Sequence, residues 1–506
     1  MGLLSQSLRA GLPGRLAAYC AAGLAGVAHT AAFAPTGAWW LQVLALAALM
    51  RLAWDATPRQ AAVLGGLFGL GWLSSGLWWL HISMHQFGHI PWLLAALAVL
   101  LLAAFLSAYY AGALWLTAWL RGRVGPAWQV LCWACCWLLA ELARATWFGG
   151  FPWIASGYAH SVGPLAAWAP WIGVYGIAAL AAGLAAALVR LSQVRAQRQW
   201  QPALLMALLL GLGNLLPQDF TLSSGSLRVS LLQPNVRQDQ KFDADLMSAN
   251  LDSLALQIEA AQGQVVVTPE SVVPLPLNFL DADYVQRLQL AARERPLLLG
   301  TFLGDDASGY VNSLVSFGAA EPYSYGKRHL LPFGEFIPPG FHWFVRAMGI
   351  PMDDQMRGQH QRAFALAGQR LRPLICYEDL FGEDFVDSVV GEQSATVLVN
   401  VSNLAWFGTL MVQDQHLQFS QMRALEFQRP FIRATNTGAT AVLDHRGRVT
   451  ARLPPATRAV LEATVEGRIG STPYARWLQA FGLWPLWVAA GLGLGASLWL
   501  GRRCAS

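Results

Sequence analysis

Apolar segments close to the length of a membrane-spanning helix recur along the first 217 residues. A helix needs about 20 mostly apolar residues to cross the hydrocarbon core of a bilayer. This stretch contains only two acidic residues, Asp55 and Glu141, and one more apolar run, 477–500, closes the chain. The residues in between have the composition of a soluble protein. The pattern predicts a multi-span α-helical membrane domain that carries one large water-facing domain.

Seven membrane spans are predicted before the water-facing domain, and an eighth follows it. The predicted spans are 14–34, 37–53, 60–80, 91–118, 126–143, 165–189, 201–217 and 479–500. The predicted domains are a membrane domain over 1–217, a soluble domain over 218–476, and a C-terminal helix with a short tail over 477–506. A cleaved signal peptide around 15–32 is the alternative for the first span, but the spans that follow favour a retained helix.

Arginines in the short loops predict the orientation of these spans, because positive residues are retained on the cytoplasmic side. With the N-terminus inside, only one short outside loop carries a positive residue, which is Arg144 after the fifth span. Both termini are then cytoplasmic, and the soluble domain faces a periplasm-like space. The net charge of +5 comes largely from the inside loops. It is a topology signal and gives no reason to expect a nucleic acid partner.

Short β-type runs alternate with helix-type segments in the water-facing domain. Residues 227–236 and 265–271 are typical of strands, whereas 243–261 and 281–294 have apolar residues at helical spacing, with Asp281 as an N-cap. Strands both alternate with helices and follow one another in hairpin-like runs. The sequence therefore predicts a layered α/β domain with a mixed sheet.

Three residues that can carry chemistry stand at the ends of predicted strands. Glu270 ends "VVVTPE", Lys327 follows "YSYG", and Cys376 ends "RPLIC". Ligand sites of open α/β sheets gather at the carboxyl ends of strands. These three residues are therefore candidates for a common site.

Lysine is rare in this chain, which has two lysines, Lys241 and Lys327, against 32 arginines. A lysine retained at 327 indicates a role for a compact ammonium with a tunable pKa, which arginine cannot supply. The alternative is chance, since two lysines must fall somewhere.

Cys376 is the only cysteine in the predicted soluble domain. The others lie in predicted spans or in the tail, at Cys20, Cys132, Cys135, Cys136 and Cys504. This distribution is not a disulfide framework, and the "CWACC" run in a span is more typical of small-residue packing than of a metal site. Free cysteine is often a buried packing residue, which is the alternative to a nucleophile here. A nucleophilic thiol, whose ordinary pKa is ~8.5, needs help to ionise; a carboxylate base and a nearby cation would supply that help, and Glu270 and Lys327 are of these types.

The motifs around these residues resemble those that carry the Glu-Lys-Cys triad of the nitrilase (carbon-nitrogen hydrolase) superfamily. They are "TPES" with Glu270, "GKRHLLPFGEFIP" with Lys327 and "ICYED" with Cys376. With the bracketing spans, "NVSNLAWFG" and "RALEFQRPFIRATNTGATAVLD", the chain is similar to the apolipoprotein N-acyltransferase family of the bacterial inner membrane over nearly its full length. Leu404 departs from the family pattern, in which an acidic residue usually follows "SN". This departure questions a carboxylate role at that position but not the triad.

The resemblance implies an α-β-β-α sandwich and the last step of bacterial lipoprotein maturation, with no cofactor. In that reaction an acyl chain moves from a phospholipid in the bilayer to the amino group of an S-diacylglyceryl cysteine at an apolipoprotein N-terminus. Glu270 would be the general base, Cys376 the nucleophile that forms a thioester, and Lys327 the cation that stabilises the oxyanion. A covalent intermediate predicts ping-pong kinetics.

Further residues receive supporting roles from the same resemblance. Glu335 would orient Lys327, the alternative being an ordinary turn acid. Tyr377 and Glu378 would shape the pocket, and Trp406 would line the acyl site; packing is the alternative for each. Two histidines near the motifs are interpreted as structural: His329 and His416.

Residues 337–354 carry an unusual number of large apolar side chains for a soluble loop. They are Phe341, Trp343, Phe344, Val345, Met348, Ile350 and Met352. One interpretation is a mobile lid that dips into the membrane interface, with Trp343 at headgroup level. The alternative is a packed core segment.

Two other functions remain open at this point. A membrane-tethered amidase or nitrilase acting on a small soluble amide would use the same Glu-Lys-Cys set. A transporter or structural membrane protein with a binding domain is disfavoured, because the predicted spans contain very few charged residues.

Overall fold

The computed structural model describes residues 12–125, 128–194, 200–343, 354–359 and 362–503. The chain divides into two units. One is helical and holds the helices before Asp219 together with the chain after Arg476. The other is an α/β unit made of Phe220–Ala475 and the short segment Gln86–His89.

Eight helices of the helical unit precede Asp219 in the described residues. They are α1 (Leu12–Thr30), α2 (Trp39–Ala53), α3 (Pro58–Gly76), α4 (Leu80–Ile82), α5 (Trp92–Arg121), α6 (Gln129–Thr146), α7 (Ala169–Gln193) and α8 (Trp200–Leu215). A π-helical turn, Ser83–Phe87, follows α4, and three 3₁₀ turns lie between α6 and α7: Trp147–Gly149, Ser156–His160 and Pro164–Trp168.

Local sequence explains both the start of α3 and its packing. Thr57 and Gln60 form a capping box, and Pro58 occupies the first helical position, where its missing N–H costs nothing. A Cβ atom at Gly65 would lie 2.5 Å from the carbonyl oxygen of Tyr110 on α5. The absence of a side chain there lets the two helices approach closely.

Fewer helices than predicted meet the length and hydropathy of a membrane span. In the described residues four do so: Trp92–Arg121, Gln129–Gly149, Pro164–Gln193 and Trp484–Gly501. Pro58–Gly76 with Leu80–Phe87 makes a fifth if this pair, bent by 60°, is one span. Trp39–Ala53 and Trp200–Leu215 are apolar but shorter. The prediction of a helical membrane region is confirmed, whereas its count of eight spans is supported only as four or five.

The prediction that Arg144 lies in a loop is wrong. Arg144 belongs to the last turn of α6 and its side chain is buried, with Nη2 3.2 Å from Glu141 Oε2. Tyr110 donates a hydrogen bond to the other oxygen of Glu141 at 3.0 Å. Two of the rare charged residues of this region therefore neutralise each other inside the helical unit, as buried charges must.

The α/β unit contains two six-stranded sheets. The first sheet consists of β1 (Thr221–Gln233), β2 (Val265–Val267), β3 (Leu297–Asp305), β4 (Gly309–Phe317), β5 (Ser324–Gly326) and β12 (Ala459–Gly470), in the order β12-β1-β2-β3-β4-β5. The second consists of β6 (Phe364–Leu366), β7 (Gln369–Ile375), β8 (Val397–Ser402), β9 (Phe431–Thr435), β10 (Ala441–Leu443) and β11 (Val449–Arg452), in the order β11-β10-β9-β8-β7-β6. Three central strands of each sheet are parallel and the outer ones antiparallel, so the mixed character is confirmed.

The remaining helices connect these strands or follow them. They are α9 (Gln238–Lys241), α10 (Ala244–Ala260), α11 (Ala282–Ala291), α12 (Gly382–Phe385), α13 (Val412–Phe427), α14 (Pro473–Phe481) and α15 (Trp484–Arg503). Helices α10 and α11 match the predicted helices 243–261 and 281–294. Asp281 occupies the N-cap position of α11, but its side chain makes no capping hydrogen bond.

Side chains that alternate along the strands place the core between the sheets. Val229, Val267, Ile375 and Ile432 belong to one buried cluster that draws on both sheets. A second cluster packs α10 and α11 against the other face of the first sheet. On β9 the intervening Arg433 contacts Ser420 of α13 instead. Helices thus cover the outer faces of two facing sheets, as expected for an α-β-β-α sandwich.

Candidate active site

Glu270 stands three residues after the end of the parallel strand β2, on the turn that "TPES" forms. Its side chain is almost fully buried. Oε1 accepts hydrogen bonds from Asn312 Nδ2 at 2.8 Å and Lys327 Nζ at 3.3 Å, and Oε2 accepts the backbone N–H of Asn403 at 2.9 Å. Three donors therefore fix the orientation of this carboxylate.

Lys327 follows the edge strand β5 directly, and its backbone N–H is bound by the carbonyl of Asn312 at 2.8 Å. Its ammonium is buried between two carboxylates, 3.3 Å from Glu270 Oε1 and 2.7 Å from Glu335 Oε1. Burial lowers the pKa of the Lys327 ammonium, but attraction to Glu270 and Glu335 outweighs it and raises the pKa well above its ordinary value. Lys327 is therefore a fixed cation and not a proton donor.

Glu335 lies beside Lys327, as the resemblance implied. Its Oε1 also accepts from Asn312 Nδ2 at 3.3 Å, and its Oε2 accepts the backbone N–H of Leu331 at 2.8 Å. Burial raises the pKa of the Glu335 carboxyl, while Lys327 opposes the rise. The interpretation as an ordinary solvated turn acid does not fit a side chain that is 8% exposed.

Cys376 begins a 3₁₀ turn, Cys376–Leu380, immediately after β7. Its φ of +55° is unusual for a residue with a side chain and marks a sharp bend at the strand end. The residue is only partly buried, and its carbonyl accepts hydrogen bonds from Asn400 Nδ2 at 2.7 Å and His416 Nε2 at 3.2 Å. This bend ends β7 after Ile375, and Cys376 packs against the core between the sheets.

The charges of the neighbouring groups act on the Cys376 thiol. Enclosure of the sulfur and the negative charge of Glu270 raise the pKa of this thiol well above its ordinary value, although Lys327 acts in the opposite direction. The resting group is therefore a thiol, with a carboxylate near enough to influence its ionisation. Nucleophilic attack from this state requires a base that removes the proton.

Comparison with known proteins gives the family. The apolipoprotein N-acyltransferase N-terminal domain matches residues 25–187, and carbon-nitrogen hydrolase matches residues 228–474. Apolipoprotein N-acyltransferases from Verminephrobacter eiseniae and Ralstonia nicotianae are both 46% identical to this chain, over 91% and 90% of it and 92% and 89% of their own lengths. The one from Nitrosomonas europaea is 41% identical, over 89% of this chain and 92% of its own. This chain belongs to the apolipoprotein N-acyltransferase family. The family resemblance predicted from the motifs is confirmed.

Within this family member, Glu378 acts as a clamp between two loops. One oxygen accepts the backbone N–H of Ile375 at 2.7 Å and the hydroxyl of Tyr325 at 2.8 Å. The other accepts the backbone N–H groups of Arg328 at 2.7 Å and His329 at 3.1 Å. The side chain therefore ties the strand end that carries the candidate nucleophile to the segment that follows the candidate lysine, with both oxygens occupied.

Tyr377 and His329 pack beside this clamp. Tyr377 is buried, donates its hydroxyl to the Leu330 carbonyl at 3.3 Å, and stacks edge-on against Phe381. The His329 ring lies flat on Phe381 at 3.6 Å, and its Nδ1 is 2.7 Å from Asp384. These contacts place Tyr377 next to the candidate nucleophile and give His329 the structural surroundings that were predicted.

The other residues that were singled out in the sequence differ in how exposed their side chains are. Trp406 is half-buried on a 3₁₀ turn, Leu404–Phe407, with its ring edge-on to Phe87 at 5.5 Å. Leu404 is 1% exposed, so an apolar side chain fills that position. Phe341 and Trp343 are exposed, which does not favour the packed-core alternative for these two residues. The rest of the proposed lid from 344 to 353 lies outside the described residues.

Several polar residues of the site were missed from the sequence. Asn312, in the middle of β4, bridges the two carboxylates. Asn403 binds Glu270 through its backbone, while its side chain donates to Gln238 Oε1 at 2.8 Å and accepts from Asn436 at 2.9 Å. An asparagine among the apolar residues Val311, Leu314 and Val315 of a strand is the one signal that could have indicated such a role.

His416 supports the strand end that carries Cys376. Arg433 donates to His416 Nδ1, so the ring carries its proton on Nε2 and donates it to the Cys376 carbonyl at 3.2 Å. Burial and the charge of Arg433 lower the pKa of His416 well below its ordinary value. Arg433 is itself paired with Asp379 at 3.0 Å. The histidine therefore stays neutral, and its structural role stays a prediction, although the ring contacts the backbone of the candidate nucleophile.

Proposed function

We propose that this chain N-acylates apolipoproteins through a Cys376 thioester, with Glu270 as the general base and Lys327 as the stabilising cation. The family assignment makes the chain an apolipoprotein N-acyltransferase, and the site geometry supports the detailed mechanism. The observation that carries it is the buried arrangement in which Lys327 Nζ lies 3.3 Å from Glu270, beside a thiol whose ionisation both groups influence. Membrane phospholipid would be the acyl donor and a diacylglyceryl apolipoprotein the acceptor.

In the first half-reaction, Glu270 takes the proton of the Cys376 thiol as the sulfur attacks the ester carbonyl of the donor. The carbonyl oxygen becomes an oxyanion, which the Lys327 ammonium and the backbone N–H of Tyr377 stabilise. The intermediate collapses by breaking the bond to the ester oxygen. Glu270 returns its proton to that oxygen, which releases a lysophospholipid and leaves the acyl group on sulfur.

In the second half-reaction the neutral α-amino group of the apolipoprotein attacks the thioester carbonyl. Glu270 accepts a proton from the amine nitrogen, and the bond between carbon and sulfur breaks. The thiolate is then protonated by Glu270, so both groups return to their starting states and an amide remains. Because the first product leaves before the second substrate reacts, two bulky lipid substrates can use one pocket in turn.

The thioester makes this proposal testable. Incubation with a phospholipid that carries a radiolabelled acyl chain, without acceptor, should leave label on the protein that neutral hydroxylamine removes. The Cys376→Ala variant should stay unlabelled, and addition of a diacylglyceryl peptide should transfer the label to the peptide amine. Labelling that persists in Cys376→Ala would exclude the mechanism. Release of free fatty acid in place of peptide acylation would favour a hydrolase of the amidase type.

The proposed arrangement in the bacterial inner membrane rests on the sequence pattern. It comprises eight spans with cytoplasmic termini, with the membrane domain over 1–217, the catalytic domain over 218–476 in the periplasm, and a C-terminal span over 477–506. The candidate spans and the exposed Phe341 and Trp343 are consistent with it. A membrane-impermeant maleimide should label a cysteine introduced at exposed Asp387 in intact spheroplasts, but not one introduced at Asp55. The reverse pattern would exclude this orientation.

Residues 337–354 remain a proposed lid at the bilayer surface. The Phe341→Ser and Trp343→Ser double variant should lose acyl transfer from bilayer phospholipid while it keeps transfer from a short-chain soluble donor. Full activity with both donors would remove the lid proposal.

A further inference from the structure

The short helix α9, Gln238–Lys241, forms hydrogen bonds at both of its ends to residues that adjoin or bind Glu270. Gln238 accepts a hydrogen bond from Asn403 at 2.8 Å, and the backbone of Asn403 holds Glu270 Oε2. At the other end of the helix, Lys241 Nζ donates to the hydroxyl of Ser271 at 2.8 Å. Ser271 directly follows Glu270 and has a positive φ of +43°. Lys241 is therefore hydrogen-bonded to the residue that follows Glu270, the same carboxylate that Lys327 contacts.

Lys241 is an ammonium buried without a close ion-pair partner. It is 4% exposed, and within the described part of the chain its hydrogen bond goes to the neutral Ser271 hydroxyl, while no carboxylate lies within 4 Å. Burial lowers the pKa of Lys241 to about 8, and the negative charge of Glu270 opposes this change. Burying a charge is costly unless opposite charge compensates it. Here the negative charge of Glu270 compensates it in part.

The balance of charge around Glu270 explains why a second ammonium belongs there. The titratable groups that act on Glu270 or on Cys376 from the surrounding elements are Lys327, Glu335, Lys241, Asp379, Arg433 and Tyr377. Asp379 is already paired with Arg433. Without Lys241, the enclosed Glu270 and Glu335 would face one cation, Lys327, and the group would keep a net negative charge when the thiol proton moves to Glu270. Lys241 restores neutrality before the thiol ionises.

We propose that Lys241 is a positioning residue that keeps Glu270 aligned and compensates its negative charge, so that Glu270 can accept the Cys376 proton. It acts through charge and through Ser271 and makes no bond to substrate. The inference rests on the proposed triad. It assigns a role to both lysines of the chain and predicts that loss of the Lys241 charge changes the pH dependence of acyl transfer.

Three variants of the full-length protein separate charge from hydrogen bonding. Lys241→Gln keeps a donor for Ser271 but loses the charge, Lys241→Arg keeps the charge, and Ser271→Ala removes the hydrogen bond alone. The measurement is kcat/KM for transfer from phospholipid to a diacylglyceryl peptide across about pH 5 to 9. Loss of a neighbouring positive charge makes a carboxyl harder to ionise, so the acidic limb of Lys241→Gln should move up by about one pH unit.

The expected pattern is a shifted limb in Lys241→Gln with limbs close to wild type in Lys241→Arg and Ser271→Ala. An unshifted limb in Lys241→Gln, whatever its rate, would overturn the proposal. So would an equal shift in Ser271→Ala, because the role would then lie in the hydrogen bond. If Lys241→Gln does not fold, Lys241→Met provides the neutral side chain and has to show the same shift. Glu270→Gln and Cys376→Ala in the same assay test the triad separately: wild-type rates there would remove the proposed mechanism itself.

Discussion

Glu335 Oε1 lies 2.7 Å from Lys327 Nζ inside the α/β unit. Both side chains are buried, and the second Glu335 oxygen is held by the Leu331 backbone at 2.8 Å. The carboxylate is therefore fixed by its own loop and fixes the ammonium in turn. A lysine held in this way can face a developing oxyanion without any reorganisation of its long side chain.

Glu335→Gln should lower kcat by about 100-fold, which is within the range of a lost acid–base contribution. The amide keeps the volume of the side chain but loses its charge, so the Lys327 ammonium is left to pair with Glu270 alone. The ammonium is then no longer held by the loop of Glu335, so its stabilisation of the oxyanion weakens. Steady-state transfer to a diacylglyceryl peptide measures the effect, with exposed Glu321→Gln as the matched control. A rate within twofold of wild type would show that Glu335 does not support Lys327.

Glu270→Gln should be inactive in acyl transfer, yet its Cys376 should be alkylated faster than in wild type. The negative charge of Glu270 contributes to the raised pKa of this thiol, while Lys327 acts to lower it. Removal of the carboxylate charge therefore lowers the thiol pKa and increases the thiolate fraction at pH ~8, by about tenfold for each unit of pKa. Iodoacetamide kinetics followed by mass spectrometry of the Cys376 peptide report this directly. The Cys376→Ala variant shows how much of the alkylation comes from the other free cysteines. Slower alkylation of Cys376 in Glu270→Gln would contradict the claim that the charge of Glu270 raises the pKa of this thiol.

The candidate residues Glu270, Lys327 and Cys376 could be singled out from the sequence because strand ends leave a local signature. Glu270 follows the parallel strand β2 of the first sheet and Cys376 follows the parallel strand β7 of the second, and the carboxyl ends of parallel strands are where ligand sites gather. Asn312 left no comparable signal, since it lies mid-strand and 42 residues from the carboxylate it binds. Asn403 contributes a backbone N–H to Glu270, which any residue type could supply. Pairing across the fold is decided by tertiary packing and not by local pattern.

In the membrane region, too, the pairing of side chains could not be predicted from the local sequence pattern. Hydropathy located helices at the predicted spans, but it ended the fifth span at residue 143 and so placed Arg144 in the following loop, whereas the helix continues to Thr146. The structure pairs this arginine with Glu141 three residues earlier, on the same helix face. The two charges compensate each other, whereas composition alone showed only two isolated charged residues in an apolar region.

Glu378→Gln should destabilise the α/β unit and reduce kcat, while the KM values change little. Each Glu378 oxygen accepts two donors, and an amide nitrogen in place of either oxygen would face two N–H or O–H groups. Buried donors left without an acceptor cost roughly 1–3 kcal/mol each. Thermal unfolding of the purified protein and kcat measured well below its midpoint would show both effects. Exposed Glu392→Gln serves as the control. An unchanged midpoint with a raised KM would instead make Glu378 a substrate-binding residue.

His416→Phe should lower kcat by about fivefold, corresponding to roughly 1 kcal/mol for the lost hydrogen bond to the Cys376 carbonyl. Asn400 still holds that carbonyl at 2.7 Å, so the bend at the strand end should weaken without being lost. His416→Gln can donate from its amide nitrogen and should recover most of the rate. Because burial and Arg433 keep the pKa of His416 well below its ordinary value, the ring stays neutral near neutral pH. The pH profiles of wild type and His416→Gln should therefore coincide. A limb present in wild type and absent in His416→Gln would mean that the histidine takes part in proton transfer, and its role would no longer be structural.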